Sequence, residues 1–307
     1  MVLSGRNTVL IQLLAMLACL CHARPRDISS KLPNTVDQQM SDLFITMAGR
    51  LSILEEEVKD LKKKQMELEK NQYNGGPYCN SANTIDGPPP LDCAEIRKRN
   101  LSAQSGVYFI KPRGTLDPFK TYCDMDNRGH GWTVIQRRVD GSEDFNRNWR
   151  EYTRGFGNLT SEFWLGLDSM HNLLQQYPYR LMVELVTWDG SKLLAEYAGF
   201  MLGNKKGNYR LRLDSFISGN ATDALEYHAG SPFTTVDKDN DDSSVNCAVV
   251  HHGGWWFKSC DRSNLNGLYR TNPHYNGLWD DGIEWKEEDG PPFYSYRMTV
   301  MKVRPME

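Results

Sequence analysis

Long hydrophobic runs are scarce in this chain of 307 residues. The most apolar stretch, residues 9–20, is only 12 residues long, whereas a helix crossing a bilayer needs about 20. No later stretch approaches that length, so membrane insertion is excluded as a design principle. An excess of positive charge is missing too: Lys and Arg number 36 against 39 Asp and Glu, a formal net charge of -3. No whole-chain field gathers phosphate backbones, which argues against nucleic acid as a partner. The signatures of common enzymes are also lacking. His251-His252 is not a His-Glu-x-x-His pair, neither a Gly-x-Ser-x-Gly elbow nor a phosphate-binding loop occurs, and the acidic cluster at 237–242 has no phosphate-holding partners. The chain reads as a binding protein, not a catalyst.

What is present begins with a secretory pattern. Arg6 precedes the apolar run, and Cys21-His22-Ala23 offers small residues for cleavage, so a signal peptide over residues 1–23 and a secreted, extracellular protein are expected. Cleavage there removes Cys19 and Cys21 from the seven cysteines and leaves Cys79, Cys93, Cys123, Cys247 and Cys260. In an oxidising compartment an odd number leaves one thiol without an intrachain partner. Sequons at Asn100, Asn158 and Asn220 are compatible with glycosylation on the same route.

After a loose, proline-containing leader at 24–39, apolar residues step by four and three: Met40, Phe44, Met47, Leu51, Leu54, Val58, Leu61 and Leu68, with Gln65 as the polar exception. Flanking charges pair in the sense that parallel neighbouring helices require, Arg50 with Glu55, Glu57 with Lys62 and Lys64 with Glu69. A short parallel coiled coil over 40–70 is therefore expected, making a homo-oligomer, dimer or trimer. At 1.5 Å per residue it is about 45 Å long, and so short a coil associates weakly by itself. The linker at 71–90, with Gly75-Gly76-Pro77 and Pro88-Pro89-Pro90, contains Cys79, the candidate for an interchain disulfide.

From residue 91 the composition turns to Trp, Tyr and Gly. Alternating runs such as YRLMVELVT at 179–187 and MTVMKV at 298–303 read as strands, and residues 162–174 read as a helix. Together they predict an α+β domain.

Several blocks then become specific. Asp92-Cys93-Ala94-Glu95, Gly106-Val107-Tyr108, Tyr122-Cys123-Asp124-Met125, Gly131-Trp132-Thr133, Phe163-Trp164-Leu165-Gly166, Asn246-Cys247-Ala248, Gly254-Trp255-Trp256, Ser263-Asn264-Leu265-Asn266-Gly267 and Met301-Lys302-Val303-Arg304-Pro305 stand in the order found in fibrinogen-like domains. Over 91–307 the chain resembles the C-terminal globular domain of the fibrinogen family, as carried by angiopoietin-like proteins and ficolins. The resemblance implies a mixed antiparallel sheet, short helices and an irregular calcium-binding subdomain. It also implies the disulfides Cys93 to Cys123 and Cys247 to Cys260.

The cluster Asp237-Lys238-Asp239-Asn240-Asp241-Asp242 is self-repelling unless a hard cation or open solvent relieves it. An EF-hand would need Gly where Asp242 stands and Glu where Ala248 stands, so that reading fails. The resemblance instead implies one structural Ca²⁺ held by the side chains of Asp239 and Asp241 and the carbonyls of Ser243 and Val245. It places the ligand pocket at His251, Asp261, Trp279 and Asp280. Asp261 stands where acetyl-binding relatives have His, and a carboxylate is a poor neighbour for an acetyl methyl. Pro292 stands at the basic-clamp position of the fibrin-knob pocket. Residues 263–270 and 274–285 are expected to form a protein-facing surface, with Trp255 and Trp256 in the core. The expected function is that of a secreted oligomeric ligand binding a cell-surface receptor or extracellular-matrix protein. The alternative is a soluble calcium-dependent lectin for acetylated or acidic glycans.

Overall fold

The computed structural model describes Arg50 and residues 87–126, 131–275, 280–286 and 294–306. The secretory segment 1–23, the leader 24–39, the coiled coil 40–70 apart from Arg50, Cys79 with most of the linker, Trp279 and Pro292 lie outside the described residues.

In chain order the elements are α1 (Cys93–Arg99), β1 (Gly106–Ile110), β2 (Phe119–Asp124), β3 (Trp132–Arg138), α2 (Trp149–Arg154), β4 (Phe156–Gly157), β5 (Phe163–Trp164), α3 (Leu167–Leu174), β6 (Tyr179–Val186), β7 (Lys192–Ala198), β8 (Met201–Leu202), β9 (Leu211–Arg212), β10 (Ser215–Gly219), α4 (Cys247–Val250), β11 (Ser263–Asn264), β12 (Glu284–Trp285) and β13 (Met298–Pro305). Two single 3₁₀ turns lie between β8 and α4. Among the described residues, nine strands make one antiparallel sheet whose main path runs β1-β2-β3-β13-β6-β7-β10. The last strand of the chain thus lies in the middle, with Met301 opposite Gln136 on one side and Val183 on the other.

Period-two patterning explains the sheet. Tyr179, Leu181, Val183 and Leu185 of β6 and Thr299, Met301 and Val303 of β13 are all fully buried. Lys302, on the opposite side of β13, is also buried; its ammonium donates to Asp124 at 2.6 Å and to Glu184. Tyr152, Trp164, Phe233 and Trp256 form an aromatic core with ring centroids 5.1–6.0 Å apart. Each such side chain contributes roughly 1.5–3 kcal/mol by leaving water.

The helix expected over 162–174 starts only at Leu167. Phe163 and Trp164 extend instead to pair with β3 and β4. Gly166 is the reason: its φ of 100° suits glycine, and a Cβ there would lie 2.6 Å from the Arg154 carbonyl carbon. Glu162, ahead of this turn, is buried and accepts hydrogen bonds from the amides of Val139, Asp140, Gly141 and Glu143 at 2.6–3.0 Å, holding the bend after β3.

The irregular chain at 265–267 is anchored to the sheet by polar side chains. Gln136 donates to the Leu265 carbonyl at 2.8 Å and to Asn266 Oδ1 at 3.2 Å, while Arg138 donates to the Gly267 carbonyl at 2.7 Å. Gly267 approaches Gly282 so closely that a Cβ would sit 1.9 Å from its carbonyl oxygen. Two disulfides complete the frame: Cys93–Cys123 ties α1 to β2, and Cys247–Cys260 ties α4 to the segment before β11. No described helix is long and apolar enough to cross a membrane.

Candidate functional site

The acidic turn sorts its own side chains. Asp237 accepts from the Trp149 amide at 2.7 Å, fixing the start of α2, and Asn240 points inward to the Phe233 carbonyl and the Asn208 amide. Asp239 and Asp241 are left facing one another. Burial raises the Asp241 pKa, and the neighbouring Asp239 charge raises it further. The turn is drawn tight by the Asp241 amide donating to Asp239 Oδ1 and the Ser243 amide donating to Asp241 Oδ1. Among the described residues, nothing donates a hydrogen bond to the carbonyls of Ser243 or Val245. Two opposed carboxylates and two spare carbonyls in one turn are the hard-oxygen donors that a Ca²⁺ ion takes, so the residues present fit that ion.

Helix α4 connects this turn to a second cluster. Asp241 Oδ2 accepts from the Cys247 amide at 3.0 Å, Asn246 caps the helix through its side chain, and His251 ends it. His251 is buried, with Nδ1 at 2.6 Å from the Asp280 carbonyl, 3.4 Å from Asp261 Oδ2 and 3.5 Å from Asp280 Oδ1. Lys286 reaches the other carboxylate oxygens, 3.2 Å from Asp261 Oδ1 and 2.5 Å from Asp280 Oδ2. Burial works against the Lys286 charge, but Asp261 and Asp280 outweigh it and its pKa is raised. Burial raises the Asp261 pKa against the pull of His251 and Lys286.

The walls are set from behind. Asn264 Nδ2 donates to the His251 carbonyl at 3.0 Å, and Asn266 Nδ2 donates to the Gly254 carbonyl at 2.8 Å. His228, fully buried, accepts the amides of Arg262 and Ser263 at Nε2, so its proton sits on Nδ1 and is donated to the Trp256 carbonyl at 2.8 Å. Burial holds the His228 pKa down at about 3. Glu284 on β12, beside Asn264 of β11, accepts from the Tyr275 hydroxyl, and burial pushes it up to about 9.

Of the residues singled out from sequence, Asp239, Asp241, Ser243 and Val245 lie in one turn, and His251, Asp261 and Asp280 meet in one cluster. Asn158 and Asn220 are exposed and Asn100 is half-buried, each on a different part of the surface. Trp255 and Trp256 are core residues. The surface expected at 263–270 and 274–285 requires correction: residues 263–267 are buried, because Asn264 and Asn266 spend their amides on internal carbonyls, and residues 282–285 are buried too. Asp261 is likewise already desolvated inside the domain, its side chain 0% exposed. Lys286 was not anticipated, and Tyr275 and Glu284 were expected only as part of the 274–285 surface. No motif marks them; Glu284 and Lys286 arrive through the β11–β12 pairing, and Tyr275 reaches Glu284 through its hydroxyl.

Comparison with known proteins agrees with this architecture. The family profile for fibrinogen beta and gamma chains, C-terminal globular domain, matches residues 90–306. Human angiopoietin-1 is 38% identical over 254 residues, 80% of this chain and 50% of that protein. Mouse angiopoietin-related protein 1 is 43% identical over 223 residues, 73% of this chain and 45% of that protein. The chain therefore spans about half the length of these curated relatives. Among solved structures, the fibrinogen-like globe domain of human ANGPTL2 superposes with a TM-score of 0.68 at 42% identity, covering 71% of this chain and 99% of that one. Lamprey fibrin D-dimer, complexed with the peptide ligand Gly-His-Arg-Pro-amide, superposes with a TM-score of 0.67 at 29% identity, covering 98% of this chain and 94% of that one.

Proposed function

The chain belongs to the fibrinogen C-terminal globular domain family, and on that premise we propose that it is a secreted, non-catalytic ligand that engages a cell-surface receptor or matrix protein through the face carrying His251, Asp280 and Lys286. One observation carries the reading: the acidic turn and the His251 cluster share helix α4, with Asp241 bonded to its first residue and His251 at its end. Calcium held by Asp239, Asp241 and the carbonyls of Ser243 and Val245 orders that helix and thereby the pocket wall. The ion's role is structural; it supplies positive charge that relieves the Asp239 and Asp241 repulsion.

The apolar run at 9–20 and the sequons support secretion, with glycans on Asn100, Asn158 and Asn220. The heptads at 40–70 and Cys79 support a disulfide-linked homo-oligomer, in which a second head binds at high effective concentration. The lectin reading draws less support. Asp261, buried and paired with Lys286, fills the position where acetyl-binding relatives carry the gripping His.

The test is binding of the full-length secreted protein to a panel of cell-surface receptors and matrix proteins, with calcium and with EDTA. Calcium-dependent binding that Cys79→Ser weakens by lost avidity supports the proposal. Equal binding in EDTA sinks it, and retention on acetylated resin with elution by N-acetylglucosamine would move the assignment to the lectin class.

A further inference from the structure

We propose that His251, Asp261 and Asp280 form a site for a divalent transition-metal ion of the zinc class, distinct from the calcium turn. The site uses none of the calcium ligands and goes beyond the ligand reading above. Nδ1 of His251 and one oxygen from each carboxylate lie within 4.8 Å of one another. The two nitrogen-to-oxygen edges of this triangle are 3.4 and 3.5 Å. Ligands bound at ~2.1 Å around a tetrahedral ion stand about 3.4 Å apart, so the nitrogen stands from each carboxylate oxygen at the spacing that zinc requires.

A second, independent feature points into the triangle. Asp261 Oδ2 is buried and accepts no hydrogen bond, on a side chain that is 0% exposed. A carboxylate oxygen in that position is costly unless a cation completes it. Lys286 does not do so: its ammonium takes Asp261 Oδ1 and Asp280 Oδ2, the outer oxygens. That division of labour orients Asp261 Oδ2 and Asp280 Oδ1 toward the imidazole.

Donor chemistry selects the ion. Calcium takes 6–8 oxygens, whereas one imidazole nitrogen with two carboxylates suits zinc and leaves a fourth position open. Asp280 is 23% exposed, so the ion can enter from its side, and a water or a partner's donor can close the coordination. Without metal, His251 Nδ1 donates its proton to the Asp280 carbonyl at 2.6 Å; the ion takes that proton's place, the carbonyl draws back from the nitrogen as it binds, and binding weakens in acid.

Calorimetric titration of the full-length protein with ZnCl₂, calcium being in millimolar excess, tests the site. One equivalent is expected to bind, and Co²⁺ in its place should give the visible absorption of a tetrahedral nitrogen and oxygen site. His251→Ala and Asp261→Asn should each lower affinity by more than about 100-fold, beyond the roughly 10- to 100-fold effect of outer partners. Asp280→Asn, on the part-exposed wall, should do the same without threatening the fold. His252→Ala should leave binding intact, since that ring pairs with Asp281 outside the triangle. Asp239→Asn should abolish the calcium response yet keep zinc, which separates this proposal from the calcium reading. A wild-type titration without binding overturns the site, as does unchanged affinity in Asp280→Asn.

Discussion

The amide of Cys247 donates to Asp241 Oδ2 at 3.0 Å, while the amide of Ser243 donates to Oδ1 of the same carboxylate at 3.0 Å. One side chain therefore closes the acidic turn and starts helix α4, and the Cys247–Cys260 bridge carries the connection to the segment bearing Asp261. The turn, helix α4 and the segment bearing Asp261 are thus joined by one hydrogen bond and one disulfide.

Replacing Asp241 by Asn removes one of two carboxylates that repel each other in the metal-free turn. Without calcium, relief of that repulsion offsets the loss of one of the two amide bonds, since Asn offers a single acceptor oxygen, and the variant is expected to melt within a few degrees of the wild type. With calcium at 100 times its Kd, the wild type gains about 2.7 kcal/mol by mass action, a rise on the order of 5–10 °C for a domain of this size. The variant should gain almost nothing. Fluorescence-monitored melting in calcium and in EDTA measures both, and an equal calcium shift in Asp241→Asn would remove the ion from this turn.

Asn264 is fully buried, and its Nδ2 is a hydrogen-bond partner of the His251 carbonyl. Asn264→Ala leaves that carbonyl in a dry interior without this donor, at a cost of about 1–3 kcal/mol. Urea unfolding followed by tryptophan fluorescence should show the midpoint falling with an unchanged slope. A variant as stable as the wild type would mean the amide does not hold the pocket wall.

Much of this domain could be read in the sequence as ordered blocks, but the blocks did not announce their roles. Ser263-Asn264-Leu265-Asn266-Gly267 reads as polar and surface-seeking, because four of its five residues have no apolar side chain. It is buried because its amides satisfy carbonyls left by the irregular chain near 251–254, a demand that exists only after folding. Lys286 had no local signal at all. It follows Glu284 and Trp285, two buried strand residues, and acquires its partners from Asp261 and Asp280, brought near by the pairing of β11 with β12. The helix start was misplaced for a simpler reason: apolar spacing over 162–174 fits a helix, and only the left-handed backbone at Gly166 reserves Phe163 and Trp164 for the sheet.

Glu162 makes a stronger test of the sheet-to-site connection. Its two oxygens accept four amides, and Arg138 Nε lies 3.8 Å from Oε1, both side chains being buried. Burial lowers the Arg138 pKa to about 10, so the guanidinium stays charged at neutral pH. Glu162→Gln keeps the shape but removes the compensating charge and turns one acceptor oxygen into a donor facing an amide, and a loss of about 3–5 kcal/mol is expected. Urea midpoints measure it. A loss below about 1 kcal/mol, the size of an exposed pair, would show that the charge is compensated elsewhere.

His228 predicts the acid limb of stability. In the folded domain it stays neutral down to about pH 3, because burial opposes the charge and Nε2 is occupied by two amides, with Lys286 and Lys258 adding repulsion. Unfolded, the ring takes up a proton near its ordinary value of about 6.5. Between these values the unfolded chain binds one more proton than the folded one. This contribution to stability is therefore complete above about pH 6.5 and declines by about 1.4 kcal/mol per unit as pH falls toward 3. His228→Gln can still donate and accept but cannot titrate. It should start less stable at neutral pH, then lose ground more slowly in acid, so the two stability curves converge. Glu284, held protonated in the fold up to about pH 9, has the opposite slope above pH 4.5 and is common to both proteins, so it cancels in the difference. Parallel curves from pH 6.5 to 4 would mean that water enters and the buried imidazole charges inside the folded domain.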